Sequence, residues 1–207
     1  LRYPENFNSE KKYPLLLFLH GSEGRGNDNE QQLWDANGIG AFSKQKIATK
    51  HESFVFAPQV PVNERWVSTN WNTDNYRLVP ISSSMRLTFE ALDSFIDNNK
   101  NIDENRIYVL GLSMGGWGAW DAISRRPNFF AAAVPICGGG DPEQAIYFKD
   151  VNIWAWHGEE DNVIDVKKSQ DMVQALAKVK GNIKYSEIKD RGHDSWLDVW
   201  NSSDLWN

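Results

Sequence analysis

Short runs of consecutive apolar residues alternate along the chain with stretches whose apolar positions recur every three or four residues. Leu15–His20 (LLLFLH), Ser53–Pro58 (SFVFAP), Arg106–Leu112 (RIYVLGL), Ala131–Cys137, Ile153–His157 (IWAWH) and Ile183–Ile188 are of the first kind. Runs this short and this uniformly apolar predict strands covered on both faces, as in a parallel sheet. Ser84–Asn99 is of the second kind: Met85, Phe89, Leu92 and Ile96 are spaced by 4, 3 and 4 residues and predict an amphipathic helix. Gly115–Arg125 predicts a second helix, stopped by Pro127. Val166–Lys180 predicts a third, with Met172, Val173, Leu176 and Val179 turned inward and Gly181 as its stop. A weaker helix is expected near Gln31–Gln45, and a short final one over Trp196–Trp206.

The segments between these elements are polar. His20–Asn29 is a glycine-rich loop. Residues 59–80 carry Pro61, Asn63, Asn70, Asn72, Asn75 and Pro80 together with Trp66 and Trp71, and read as one long, functional loop. Strands that alternate with helices imply an α/β fold, a mostly parallel sheet with helices on both faces. In such sheets ligands bind beyond the carboxyl ends of the strands. The loops leaving four of those ends hold Ser22, Ser113, Asp161 and His193.

Composition narrows the classes. A length of 207 residues suits one domain, so residues 1–207 are expected to form a single catalytic domain. Hydrophobic residues at 41% and charged residues at 24% exclude collagen-like, low-complexity and wholly disordered chains. No window is long and apolar enough for a membrane span. Twenty-two basic against 28 acidic residues give a net charge of −6 with no Lys/Arg block, which argues against nucleic acid or an anionic membrane as the main partner. Cys137 is the sole cysteine, so no intrachain disulfide forms. That fits the cytosol and is equally compatible with a bacterial periplasm or exterior, of which the secreted or periplasmic location is slightly favoured. Residues 1–14 lack the apolar stretch of a signal peptide and the numbering begins at Leu1, so a leader is expected to have been removed or the chain shortened. Tryptophan is over-represented, 10 in 207. Most of these rings are expected in an aromatic core, and some along a cleft for sugars or aromatic acyl groups.

The strongest chemical signal is Gly111-Leu112-Ser113-Met114-Gly115, a G-x-S-x-G between a predicted strand and a predicted helix. The motif alone arises by chance in about 6% of chains of this length, so the strand-to-helix context carries the argument. There the turn presents Ser113 over the sheet edge, the glycines give room, and the helix start directs N–H groups at the site. A serine hydroxyl needs a base. Of the four histidines, His193 follows the last predicted strand and is the candidate base. His157 and His20 end strands and read as loop-anchoring residues, and His51 as a surface residue. The acid is sought between Ser113 and His193, among Glu159, Glu160, Asp161 and Asp165. Asp161 is favoured because Val163-Ile164 returns to the core just after it. Its role is to accept the ring N–H of His193 and fix the tautomer. Two backbone donors for the oxyanion are expected from Met114 and from the loop after the first strand, at Ser22 first and Glu23 second. Neither a Cys/His cluster nor an H-E-x-x-H motif occurs, and no metal or organic cofactor is called for.

LLLFLHGSEGRGNDN, APQVP, NIDENRIYVLGLSMGGWGAW, WHGEEDNVIDV and GHDSW together resemble the α/β-hydrolase esterases, and among them the polyhydroxybutyrate-depolymerase and feruloyl-esterase-like carboxylesterases sometimes labelled predicted peptidases. The resemblance runs from about residue 13 to 200. It implies Ser113 as nucleophile, Asp161 as acid, His193 as base and the His20-Gly21 loop as a source of oxyanion donors. Two departures are visible. Glu23 and Gly24 are exchanged relative to the family's usual Gly-Glu-Arg-Gly, which bears on the second oxyanion donor. The antiparallel strands common at the start of the fold are short or missing. Little room remains for a lid domain, so a compact molecule with an open cleft is expected. The family's association with plant cell-wall esters is compatible with the tryptophan excess: Trp117 and Trp71, with Trp66 and Trp196, lie in or beside the segments expected at the carboxyl edge of the sheet and are candidate substrate contacts, and Gln59, just beyond a strand end, is a candidate polar contact.

The resulting expectation is a serine carboxylesterase acting on a small-molecule or polysaccharide-linked ester, including feruloyl or acetyl esters. A serine peptidase or aminoacyl hydrolase of the same fold is the alternative, because ester and amide specificity lie in the pocket and not in the fold. A dienelactone-type hydrolase is disfavoured by Ser in place of Cys at the elbow. A non-catalytic carbohydrate-binding module is the rival from another class, and the intact Ser/Asp/His set argues against it. Because the base must be neutral, the rate is expected to fall in acid.

Overall fold

The computed structural model describes residues 1–71 and 76–205, with the side chains at 45, 46 and 49 excepted. Asn72, Asn75 and Trp206 therefore lie outside the described residues. Six parallel strands form one sheet: β1 Tyr13–Leu19, β2 Phe54–Phe56, β3 Ile102–Leu112, β4 Ala132–Ile136, β5 Asn152–Gly158 and β6 Ile183–Ile188. Their spatial order is β2-β1-β3-β4-β5-β6. The chain steps outward from β1 to β2, then returns to add β3 on the other side of β1. That reversal opens a crevice at the carboxyl ends of β1 and β3, the usual ligand position in such sheets.

Side-chain alternation along the strands feeds two cores. Leu15, Leu17 and Leu19 on β1 and Ile107 and Val109 on β3 pack on one face with α4 (Ser83–Asp97), α5 (Met114–Arg125) and α6 (Lys167–Lys178). Phe18 on β1 and Leu110 and Leu112 on β3 face the other way, toward α2 (Gly38–Ser43) and α7 (Trp196–Asn201). The first core holds Trp66, Trp117 and Trp120, all essentially inaccessible. Much of the tryptophan excess is thus interior packing.

Most predicted elements lie close to their expected positions, and the differences have local causes. The expected helix near Gln31–Gln45 is broken into α1 (Gln31–Trp34), a 3-10 turn over Asp35–Asn37, α2 and α3 (Gln45–Lys50). Ala36 and Asn37 take φ of 49° and 52°, which ends one helix and starts the next at a new angle. α4 begins one residue early because the Ser82 hydroxyl accepts the Met85 N–H, an N-cap. α6 is not stopped by a left-handed Gly181. Lys180 takes that conformation at φ 54°, with Lys180 N–H on the Ala177 carbonyl and Gly181 N–H on the Leu176 carbonyl. β3 starts earlier than predicted, as Ile102 pairs with Tyr13 across a register shift while Glu104–Arg106 stay exposed. One antiparallel contact survives at the sheet edge, a bridge between Arg2 and Val55.

Candidate active site

Ser113 lies between β3 and α5 with φ 53° and ψ −116°, a sparsely populated backbone conformation for a residue with a Cβ. Such strain costs on the order of 1–3 kcal/mol and persists only where the surroundings enforce it. Here Ser113 N–H is bonded to the Ile136 carbonyl of β4, 2.9 Å away. A Cβ on Gly111 would strike the Gly115 carbonyl, one on Gly115 the Leu19 carbonyl, and one on Gly116 the Ile136 carbonyl. The elbow is therefore pressed against the neighbouring strands, and only hydrogen side chains fit.

His193 is in the loop between β6 and α7. Its Nε2 is 2.8 Å from Ser113 Oγ, and its Nδ1 is 2.7 Å from Asp161 Oδ2. The partners assign the protons: Nδ1–H donates to the carboxylate, leaving Nε2 to accept the serine hydroxyl. Asp161 Oδ1 accepts the N–H groups of Val163 and Ile164, each at 2.9 Å. Burial alone would raise the pKa of Asp161. Hydrogen bonds from His157, His193, Ile164 and Val163 outweigh it and hold the carboxyl well below the ordinary range. Glu159, Glu160 and Asp165, the other acid candidates, are exposed.

Two backbone bonds join the acid loop to the histidine loop: Glu159 N–H to the Ile188 carbonyl and Glu160 N–H to the Arg191 carbonyl. Gly158 lies against the Arg191 and Gly192 carbonyls, where a Cβ would not fit. Arg191 also pairs with Asp198 of α7 at 2.8 Å. Beneath the histidine loop, Cys137 Sγ is 2.8 Å from the buried Ser195 hydroxyl. Among the described residues, the one group of donor side chains close enough to hold a metal is Cys137, Asp161 and His193. The carboxylate and the imidazole of that group already bond each other.

The loop after β1 forms a 3-10 turn over Ser22–Gly24. Ser22 and Glu23 open this turn and Met114 opens α5, positions whose N–H groups have no acceptor within their own helix. The loop is braced by His20, as its place at a strand end predicts, and by Asp35, for which the sequence carries no signal. Asp35 Oδ2 accepts Gly21 N–H at 2.6 Å, and burial raises the pKa of this carboxyl. His20 is fully buried: its Nδ1 donates to the Gly21 carbonyl, its Nε2 accepts Val60 N–H, and its carbonyl accepts the Trp66 indole N–H. Burial lowers its pKa to about 4, so the ring is neutral. Gly24 sits on the face of that ring, with no room for a Cβ.

The expected substrate contacts fare differently. Gln59 is engaged with the loop: its Oε1 accepts Asn29 N–H, and its amide donates to Asp28 and to the Gly24 carbonyl. It is a brace with no free polar atom to offer. Trp117 is 1% exposed and packs edge-on against Tyr76, so it belongs to the core. Trp66 is likewise in the core. Trp71 is half-buried under the Arg65 guanidinium. The aromatic ring beside the catalytic set is that of Trp196, edge-on to His193 at 5.4 Å. His51, expected at the surface, is half-buried and lines a groove of about 710 Å³ that contains none of Ser113, Asp161 and His193.

A parallel sheet with a strained serine elbow and a serine–histidine–aspartate chain at its carboxyl edge defines an α/β-hydrolase. The chain belongs to the phospholipase/carboxylesterase family, which it matches over residues 7–202. It is 29% identical over 131 residues to poly(3-hydroxyalkanoate) depolymerase C of Paucimonas lemoignei, a match covering 61% of this chain and 28% of that protein. Its structure superposes on a thermostable esterase with a TM-score of 0.91 and 36% identity, over 98% of this chain and 56% of that one. A ferulic acid esterase shares the fold with a TM-score of 0.69 at 18% identity, over 99% of this chain and 89% of that one. The chain thus spans little more than half the length of that thermostable esterase, and less of the depolymerase.

Proposed function

We propose that the protein is a serine carboxylesterase that forms an acyl-enzyme on Ser113. The observation that carries the reading is the unbroken chain from Ser113 Oγ through His193 to Asp161, at 2.8 and 2.7 Å. His193 Nε2 takes the hydroxyl proton as Ser113 Oγ attacks the ester carbonyl carbon. The developing oxyanion is held by the N–H of Met114 and by that of Ser22 or Glu23. The tetrahedral intermediate collapses, and the alcohol leaves with the proton from His193. Water then attacks the acyl carbon by the same route and releases the acid. Asp161, ionised throughout, holds the imidazole in the required tautomer and stabilises its cation.

The substrate in this reading is a small or polysaccharide-linked ester, with feruloyl and acetyl groups as the leading acyl classes. The ferulic acid esterase neighbour and the Trp196 ring beside His193 support this choice. The test uses p-nitrophenyl acetate, p-nitrophenyl butyrate, methyl ferulate and a peptide p-nitroanilide. Turnover of the esters by the wild type, and its loss in Ser113→Ala, is the expected result. Turnover of the anilide alone would move the assignment to a peptidase, and ester turnover that survives Ser113→Ala would overturn it.

A further inference from the structure

His157 is the penultimate residue of β5, with a fully buried ring, four residues before Asp161. Its Nε2 is 2.8 Å from the Ile164 carbonyl and 3.2 Å from Asp161 Oδ2. Both are acceptors, so Nε2 carries a hydrogen, which is bonded to the Ile164 carbonyl with the Asp161 carboxylate close beside it. Its Nδ1 is 2.8 Å from the Ser169 hydroxyl, on α6. Asp161 Oδ2 therefore has an imidazole on two sides: His193, which faces the serine, and His157, which faces the core.

We propose that His157 is a positioning residue of the catalytic set, acting on Ser113 through Asp161 and His193. Ser169 holds its ring from α6, with the hydroxyl 2.8 Å from Nδ1, while Nε2 faces two acceptors and carries a hydrogen. That hydroxyl also donates to the Gly138 carbonyl at 3.0 Å and ties α6 to the loop after β4. The second imidazole fixes the carboxylate from behind, so Oδ2 presents one orientation to His193. It also draws charge from Oδ2 and moderates how tightly Asp161 holds the His193 proton. The other titratable group in this pocket is Cys137, packed against the Asp161–His193 pair, and burial pushes its thiol up to about 12, so it stays neutral in the working range. An anchoring role for the loop would need the Ile164 bond alone. The approach to the same oxygen that His193 uses is what couples His157 to the chemistry.

This inference rests on the serine-hydrolase reading, and the experiment separates the two. Steady-state hydrolysis of p-nitrophenyl acetate by the full chain is measured from pH 5 to 9 for the wild type, His157→Leu, His157→Gln, Ser169→Ala and Ser113→Ala, with thermal unfolding of each. His157→Leu is expected to lower kcat at least about tenfold with KM within about twofold. Its acid limb of kcat/KM should move up by half a pH unit or more, because the carboxylate charge then concentrates on His193. His157→Gln, whose amide can both donate and accept here, should recover most of both. Ser169→Ala should give the same sign at about threefold, and serves if His157→Leu does not fold. The inference is overturned if the acid limb stays at its wild-type position in the folded variants, or if His157→Gln is folded and no better than His157→Leu. Turnover that persists in Ser113→Ala overturns the underlying reading instead.

Discussion

The two flanks of Ser113 are built on opposite plans. On the β5–β6 side, Asp161, His157, His193, Cys137 and Ser195 meet side chain to side chain, a buried and a half-buried imidazole against one carboxylate. On the β1 side, the groups that the proposed mechanism uses are backbone N–H donors, and the side chains around them (His20, Asp35, Gln59) hold the loop in shape. The first plan depends on residue type at each position. The second depends on loop geometry and tolerates change at the donor residues while depending on their braces. In the proposed mechanism both serve one reaction, the proton relay on one side and the oxyanion on the other.

Substitutions can break this contrast or sharpen it. Ser113→Ala should remove at least about 10⁴-fold of kcat, measured with enzyme free of wild-type contamination. Asp161→Asn, which preserves shape and loses the charge, should cost about 10³–10⁴-fold with little change in KM. Across the site, Asp35→Ala should lower kcat by roughly 10–100-fold by releasing Gly21 N–H and the turn beyond it. Unchanged kcat in a folded Asp35→Ala protein would mean that the β1 loop holds its shape without this brace. Ser22→Ala should change kcat less than about threefold, since its backbone N–H is retained. A hundredfold loss there would show that the hydroxyl itself takes part.

The β1 flank also predicts a pH dependence of stability. His20 has a folded pKa of about 4 against 6.5 for the free side chain, so between these values the unfolded chain binds more protons. Stability from this group is full above about pH 6.5 and is lost as pH falls toward 4, by about 3 kcal/mol. Replacing His20 by Asn should flatten the fall in Tm over that interval. A parallel fall in both proteins would assign the acid sensitivity elsewhere.

These two plans also explain what the chain discloses before it folds. Ser113, Asp161 and His193 are legible because proton transfer demands particular side chains, and the G-x-S-x-G spacing, the strand ends and the chain order locate them. The apolar runs likewise mark all six strands. The β1 flank is less legible, although His20 at the strand end is read as a loop anchor and is one. A backbone N–H belongs to every residue but proline, so Ser22 and Glu23 look no different from other loop residues. Asp35 and Gln59 reach this loop from distant positions that nothing in the pattern connects to it. Gln59 stands beside a strand end, where a substrate contact is expected, yet its hydrogen bonds to Asn29, Asp28 and Gly24 make it a brace. Trp117 stands one turn into α5 from Ser113, yet its ring turns into the core. The break at Ala36–Asn37 escaped because two non-glycine residues adopt left-handed backbone there.

Cys137 has one more consequence. It is the sole thiol in the chain, it is inaccessible, and it sits directly below the loop that carries His193. A disulfide reagent can reach it only when that loop lifts from β4. The rate of thiol labelling is therefore a clock for the breathing of the catalytic loop, read without any introduced probe. A bound acyl group that slows the label would report, residue for residue, how firmly occupancy closes the site.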